Sequence, residues 1–315
     1  GRNWFVLAST FAVLGGAEAV AMLDLPLPIR LLGTVIATLT WVRAFIIFHD
    51  ARHGALFRES PVGRFLCDIV GVMLLSPPSV WKETHDYHHR NNAKLMGAAI
   101  GSYPVATPRM WNLMTKSQRR QYKFVRSPLN MAMAYLTVFG FGMCISPFIR
   151  APKLHWMGPG SLINHVALIG LVTWALGFTS ALLGVILPLG MAMTAGAYLF
   201  YAQHNFPDAI IAERRKWNYH VAALKSSSMM DMSPVMHWFT GNIGYHHIHH
   251  LNHRIPFYRL PQAMAALPEL QTPGRTSLRP RDVAACFRLH LWDNRRNLWV
   301  DWDGKTPIKH DTKAA

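Results

Sequence analysis

Five histidines fall within eight positions of this chain: His246, His247, His249, His250 and His253. Neutral imidazole is the commonest protein ligand for mid-row metals. Residues three and four apart share one face of a helix, so His246, His249 and His250 can point their rings to one place. His85, His88 and His89 repeat the same H-x-x-H-H spacing, and His49 and His53 stand four apart. His204, in Tyr201-Ala-Gln-His-Asn-Phe206, closes a long apolar run. These make nine candidate ligands: His49, His53, His85, His88, His89, His204, His246, His249 and His250. His247 and His253 lie at the wrong helical angle and are expected beside the ligands or at the surface.

A mononuclear catalytic site uses three or four protein ligands, so nine imidazoles imply two metals. Structural zinc prefers thiolates, but Cys67, Cys144 and Cys286 form no C-x-x-C and read as fillers. Imidazole suits iron, copper, zinc and nickel alike, so ligand type alone does not choose. No E-x-x-H pair occurs in the boxes, which excludes the ferritin-like carboxylate bundle. Asp50 and Asp86 each follow a candidate ligand. A helical neighbour at i+1 points about 100° away. These carboxylates are therefore expected to accept imidazole N–H groups. Without a bridging carboxylate, the metals are expected farther apart than the about 3.5–4 Å of two-metal hydrolytic sites.

Four apolar runs must position these residues: about 4–23, 29–48, 161–177 and 180–203. Each is near the length that spans a bilayer at 1.5 Å per residue. The turn Asp24-Leu-Pro-Leu-Pro28 folds the first two into a hairpin that delivers His49. Residues 154–207 contain no Asp, Glu, Lys or Arg, and supply a second hairpin turning near Gly177 and ending at His204. Residues 61–80 read as a helix on or dipping into the membrane. Segment 129–149, broken by Gly140, Gly142 and Pro147, reads as a membrane-associated helix that does not cross. An even number of crossings keeps all the boxes on one side. The predicted fold is an all-α integral membrane protein of four spans. Its helical cap, residues 49–127 and 204–300, holds a di-metal site within a single domain, 1–315. Glu18 and Arg43 lie inside spans, where each needs a partner or a cavity; Arg43 is expected to reach the interface. The Arg, Trp and Leu mixture of residues 289–296 reads as a helix, and the last ten residues as disordered.

Hydrophobic residues make up 51% of the chain and charged ones only 15%, yet the net charge is +16. That combination suits basic cytoplasmic loops between spans and excludes nucleic-acid binding, because long uncharged runs interrupt the basic clusters. Residues 82–127 carry nine Lys or Arg and the 24–28 turn carries none. Both termini and the site are thus expected on the cytoplasmic side, in a bacterial inner membrane. The first apolar run is too long for a signal h-region, and no small-x-small site follows it.

Four stretches carry a family resemblance: His49-Asp-Ala-Arg-His53-Gly, Thr84-His-Asp-Tyr-His-His89, Phe200-Tyr-Ala-Gln-His-Asn-Phe206 and Trp238-Phe-Thr-Gly-Asn-Ile-Gly-Tyr-His-His-Ile-His-His-Leu-Asn-His-Arg-Ile-Pro-Phe-Tyr258. The chain resembles the membrane fatty acid desaturase family, and its last box the bacterial and cyanobacterial acyl-lipid branch. The resemblance covers nearly the whole chain. It implies a cytoplasmic cap holding two irons by nine histidines over a membrane tunnel. It also implies O₂-dependent insertion of a cis double bond into a lipid-linked acyl chain. Zinc accepts the same imidazoles and can enter in place of iron in recombinant protein. Some relatives hold one iron through a water on an Asn four residues before the equivalent of His204. Phe200 stands there, leaving Gln203, Asn205 or Asn242 as substitutes.

The chain has no G-x-G-x-x-G fingerprint and no visible haem-binding domain. Electrons must come from another protein, such as a ferredoxin or cytochrome, which a basic face would attract. The same site could instead serve a hydroxylase or ketolase of alkyl chains or carotenoids. A metal transporter would need ligands at the bilayer midplane, whereas here they sit at hairpin ends.

Overall fold

The computed structural model describes residues 1–97 and 100–308. Among the described residues, four helices are long and apolar enough to cross a membrane: α1 (Arg2–Met22), α2 (Leu27–Arg52), α9 (Met157–Leu176) and a continuous helix, Phe178–His204. The last comprises α10 (Phe178–Ala181), a π-helical stretch Leu182–Ile186 and α11 (Leu187–His204). Between the two hairpins lie α3 (Pro61–Met73), α4 (Pro78–Asn91), α5 (Pro108–Leu113), α6 (Lys116–Val125), α7 (Pro128–Ala132), a π-helix Tyr135–Ile145 and α8 (Ser146–Arg150). After His204 come α12 (Tyr219–Lys225), α13 (Pro234–Phe239), α14 (His246–Leu251), α15 (Leu260–Ala266) and α16 (Pro280–Phe287).

Proline opens many of these helices, because its missing N–H costs nothing in the first turn and its φ is already helical. Pro61, Pro78, Pro108, Pro128 and Pro234 all do so. Ser60, Thr107 and Ser233 cap the starts of their helices, each side chain accepting a backbone N–H. Thr115 and Gln118 form a reciprocal capping box at α6.

α1 packs along α2, and α2 along α11. Gly33 lets the first pair approach: a Cβ there would sit 2.8 Å from the Ala17 carbonyl oxygen. α3 packs on α2 and α9, and the chain then bends by 91° into α4. Val62, Phe65 and Ile69 leave one face of α3 exposed and apolar, at the spacing of a helical stripe. The Tyr135–Arg150 segment is too short to count with the spans.

Three expectations fail. Arg43 does not reach outward and does not meet Glu18. It is buried, donates through Nε to Thr10 (3.0 Å) and through its guanidinium to the Trp238 carbonyl, and lies 4.3 Å over the Trp238 ring. Glu18 accepts from Trp41 Nε1 at 2.9 Å instead. A flat guanidinium satisfied by a carbonyl, a hydroxyl and a ring face needs no counter-ion. The second failure is residues 289–296, which are not helical. β3 (Leu291–Asp293) and β4 (Leu298–Val300) pair antiparallel, with Trp292 opposite Trp299. Asp293 accepts the N–H groups of Arg295 and Arg296, and Asn297 takes φ 52°, so side-chain turn chemistry overrides the apolar pattern. The third concerns the C-terminus: Ile308 donates to the Trp299 carbonyl at 3.0 Å, so residues up to 308 are ordered against β4. Residues 309–315, the rest of the stretch expected to be disordered, lie outside the described residues. Among the described residues the remaining sheet is a parallel pair, β1 (Met229–Asp231) with β2 (Arg275–Ser277).

Candidate metal centre

The two hairpins end where the cap begins. α2 carries His49, with His53 as its C-cap residue, and α11 ends on His204. α4 supplies His85, His88 and His89; α14 supplies His246, His249 and His250. All nine candidate residues come together, in two separate groups. One is His49, His53, His85, His89 and His249; the other is His88, His204, His246 and His250. The H-x-x-H-H spacing therefore does not send three rings to one point. In α4 the first and last histidines face one group and the middle one the other; in α14 the middle one, His249, parts from His246 and His250.

Within the four-residue group, Nε2 atoms lie 3.0 Å apart for His88 and His204, 2.9 Å for His204 and His246, 3.2 Å for His246 and His250, and 3.3 Å for His250 and His88. In the other group, His49–His85, His85–His89 and His89–His249 are each 3.1 Å apart at Nε2. A dication about 2.1 Å from each imidazole nitrogen would set neighbouring nitrogens about 3.0 Å apart at right angles and about 3.4 Å apart at tetrahedral angles. The observed edges match that range. Protons alone serve such a ring poorly, because one N–H cannot point straight at two acceptors.

Two of the rings, His49 and His204, are anchored outward through Nδ1. His49 Nδ1 lies 3.0 Å from Asp50 Oδ1, and Asp50 Oδ2 accepts the Phe257 N–H at 2.7 Å. His204 Nδ1 donates to the Ser226 carbonyl at 3.2 Å. An Nδ1–H bonded outward leaves Nε2 free to ligate. Asp50 thus acts as expected, whereas Asp86 accepts from Lys82 at 2.7 Å and, among the described residues, from no imidazole. Burial, and next the repulsion of neighbouring imidazoles, hold His85, His88, His89, His246, His249 and His250 well below the ordinary imidazole range. They are neutral at pH 7, the form that binds a cation.

Two residues that the spacing argument overlooked line the groups. Trp81 stacks on His85 at 4.2 Å and meets His49 and His53 edge-on. Phe200 lies 4.9 Å from the His88 ring and 5.4 Å from His204. Each stands four residues before a grouped histidine, so an i, i+4 reading would have found both. Each of the amides suggested as substitutes at Phe200 already makes a hydrogen bond elsewhere. Gln203 donates to the Ile243 carbonyl, Asn205 accepts from Arg126, and Asn242 donates to the Phe257 carbonyl. A cavity of about 120 Å³ reaches His204 from the side of Asn92 and Tyr103.

His247 and His253 lie outside both groups. His253 rests against the His53 ring at 4.7 Å, while His247 is fully buried and contacts the Leu270 carbonyl at 3.0 Å. His247→Ala is therefore expected to cost stability, about 1–3 kcal/mol for the orphaned carbonyl, and not metal. Thermal unfolding and metal content per chain measure the two separately. Loss of metal in folded His247→Ala protein would place it among the ligands.

A frame of helices long enough to span a membrane, with two imidazole clusters at its hairpin ends that could each hold a metal ion, defines the class of scaffold. The model of the family described as fatty acid desaturase matches residues 26–281, and the chain belongs to that family. It is an enzyme, an oxidoreductase, like the family's other members. It is 28% identical over 312 residues to "Fatty acid desaturase" of Bacillus subtilis, a match covering 96% of this chain and 86% of that protein. It is 26% identical to "sn-1 oleoyl-lipid 12-desaturase" of a Picosynechococcus species, covering 84% of this chain and 76% of that one. It is 22% identical to "sn-1 acyl-lipid omega-3 desaturase (ferredoxin)" of a Synechocystis species, covering 73% and 64%.

Proposed function

We propose that this chain, as one domain over residues 1–315, uses O₂ to insert a cis double bond into a lipid-linked acyl chain. Its metals are two non-haem irons, held by the five-histidine and four-histidine groups. The observation that carries the reading is the pair of buried clusters whose nitrogens already stand at ligand–ligand spacing. Iron bound there supplies the O₂ chemistry that unactivated C–H bonds require. The chain's own residues do the rest. His49 and His204 are fixed in tautomer by Asp50 and the Ser226 carbonyl. Trp81 and Phe200 offer apolar walls to a substrate with no polar handle near its reacting carbons. Each CH₂ buried contributes roughly 0.8 kcal/mol, enough to hold an acyl chain but not to set its register. The relatives' names support an acyl-lipid substrate and a ferredoxin-like electron donor. The basic loops support a bacterial inner membrane with the site and both termini on the cytoplasmic side.

The test is mass spectrometry of total membrane lipids from cells with and without the protein. Acyl chains lighter by two hydrogens are expected to accumulate, with a cis alkene by infrared or NMR. Chains heavier by one oxygen would replace desaturation with hydroxylation.

A further inference from the structure

Trp217 lies part-exposed in a loop whose neighbours Arg214, Arg215 and Lys216 include no buried side chain. Lys94 sits 4.1 Å over its ring. The loop is tied to the end of α4 by a two-way backbone link, Leu95 N to Ala212 O at 2.8 Å and Ala212 N to Ala93 O at 2.9 Å. The β3–β4 turn, with Arg295 and Arg296, adjoins it through Asn294 and Glu213. Among the described residues Arg214, Arg215, Lys216 and Arg295 form no ion pair. The result is a local excess of positive charge around one aromatic ring.

That ring is wired to both histidine groups. Trp217 Nε1 donates to the Asn92 carbonyl at 2.7 Å. Asn92 caps the C-terminus of α4, three residues beyond His89 of one group and four beyond His88 of the other. The Asn92 side chain donates to Ser227 Oγ at 2.9 Å, and the adjoining Ser226 carbonyl accepts from His204. Every link is a covalent or hydrogen bond. Electron tunnelling falls off less steeply along such links than across open space.

We propose that the Lys94, Arg214–Trp217 surface is the port at which an acidic one-electron carrier protein docks, and that Asn92 divides its route to the two histidine groups. The inference rests on the desaturase reading. Reduction of O₂ to two waters takes four electrons. Two come from the C–H bonds lost as CH₂–CH₂ becomes CH=CH, and two arrive singly from the carrier, with two protons from solvent. Charge complementarity chooses an acidic partner and hastens its encounter. Anionic lipid headgroups would also meet the charge, but they have no use for the bonded route beneath it.

The test uses the metal-loaded enzyme in nanodiscs, with a plant-type [2Fe–2S] ferredoxin as the probe. Arg214→Glu with Arg215→Glu is expected to weaken ferredoxin binding about tenfold and flatten its salt dependence. Lys116→Glu with Arg120→Glu, a reversal at another exposed basic site, is expected to change affinity less than about twofold. In Trp217→Leu the ratio of metal reduction by ferredoxin to reduction by dithionite is expected to fall about tenfold; a merely structural defect would slow both and leave the ratio alone. Unchanged affinity on charge reversal, or an unchanged ratio in Trp217→Leu, would overturn the port. So would a reversal that weakens binding to anionic vesicles while ferredoxin binds as before. Ferredoxin binding lost on reversal, with no desaturated product from the wild type under any reductant, would keep the port and overturn the desaturation reading.

Discussion

Replacing His89 or His250 with alanine is expected to abolish desaturation, by at least ~100-fold, while the chain still reaches the membrane. These two rings stack face to face, 4.2 Å apart and 18° from parallel, although they belong to different groups. Each therefore offers a nitrogen to its own group and buttresses a ring of the other. His247 cannot replace either, because it is anchored on Leu270. The fold does not depend on them, since the spanning helices pack without the cap histidines. The checks are metal per chain after purification and lipid product in cells. Full activity in both variants would remove the basis for a two-metal site. His85→Ala and His246→Ala are expected to be as severe.

The second large effect is expected at Asp50. This fully buried carboxylate takes the His49 ring on one oxygen and the Phe257 N–H on the other. It joins α2 to the segment just beyond the third box. Asp50→Ala strands both donors, and metal affinity is expected to fall about 10–100-fold, with a further stability cost of about 1–3 kcal/mol. Asp50→Asn separates the two roles. Its oxygen can accept from either His49 or Phe257, and its NH₂ then faces the other donor. Asparagine is expected to keep part of the affinity that alanine loses. Metal titration of the purified variants measures this; an Asp50→Ala protein that binds metal as tightly as wild type would dismiss the carboxylate as a positioning group.

That these nine histidines would come together was legible in the sequence, because imidazole clusters at helical spacing have few other uses. Their partition was not. Whether His88 shares a centre with His85 depends on how α4 is rolled against α14, and spacing along one helix carries no information about the roll of two. The four spans were legible as well, since long apolar runs need no tertiary context. Arg43 misled, because a carbonyl and two aromatic rings from distant segments replace the solvent it was expected to seek. The β3–β4 hairpin misled for a local reason. Its Trp and Leu residues pack in two small clusters of their own, and the decisive signal was the short Asp293-to-Asn297 turn.

The interleaving of α4 and α14 has a consequence for loading. Neither helix belongs to one centre: each sends histidines to both. A first ion that holds α4 and α14 at their present spacing also holds the second nest, so the entropic cost of fixing both helices falls mainly on the first arrival. Partial supply of metal should then yield a mixture of empty and doubly filled molecules, with few singly filled ones. Native mass spectrometry would show such a chain filling as a unit, with a steep, sigmoidal dependence on free metal.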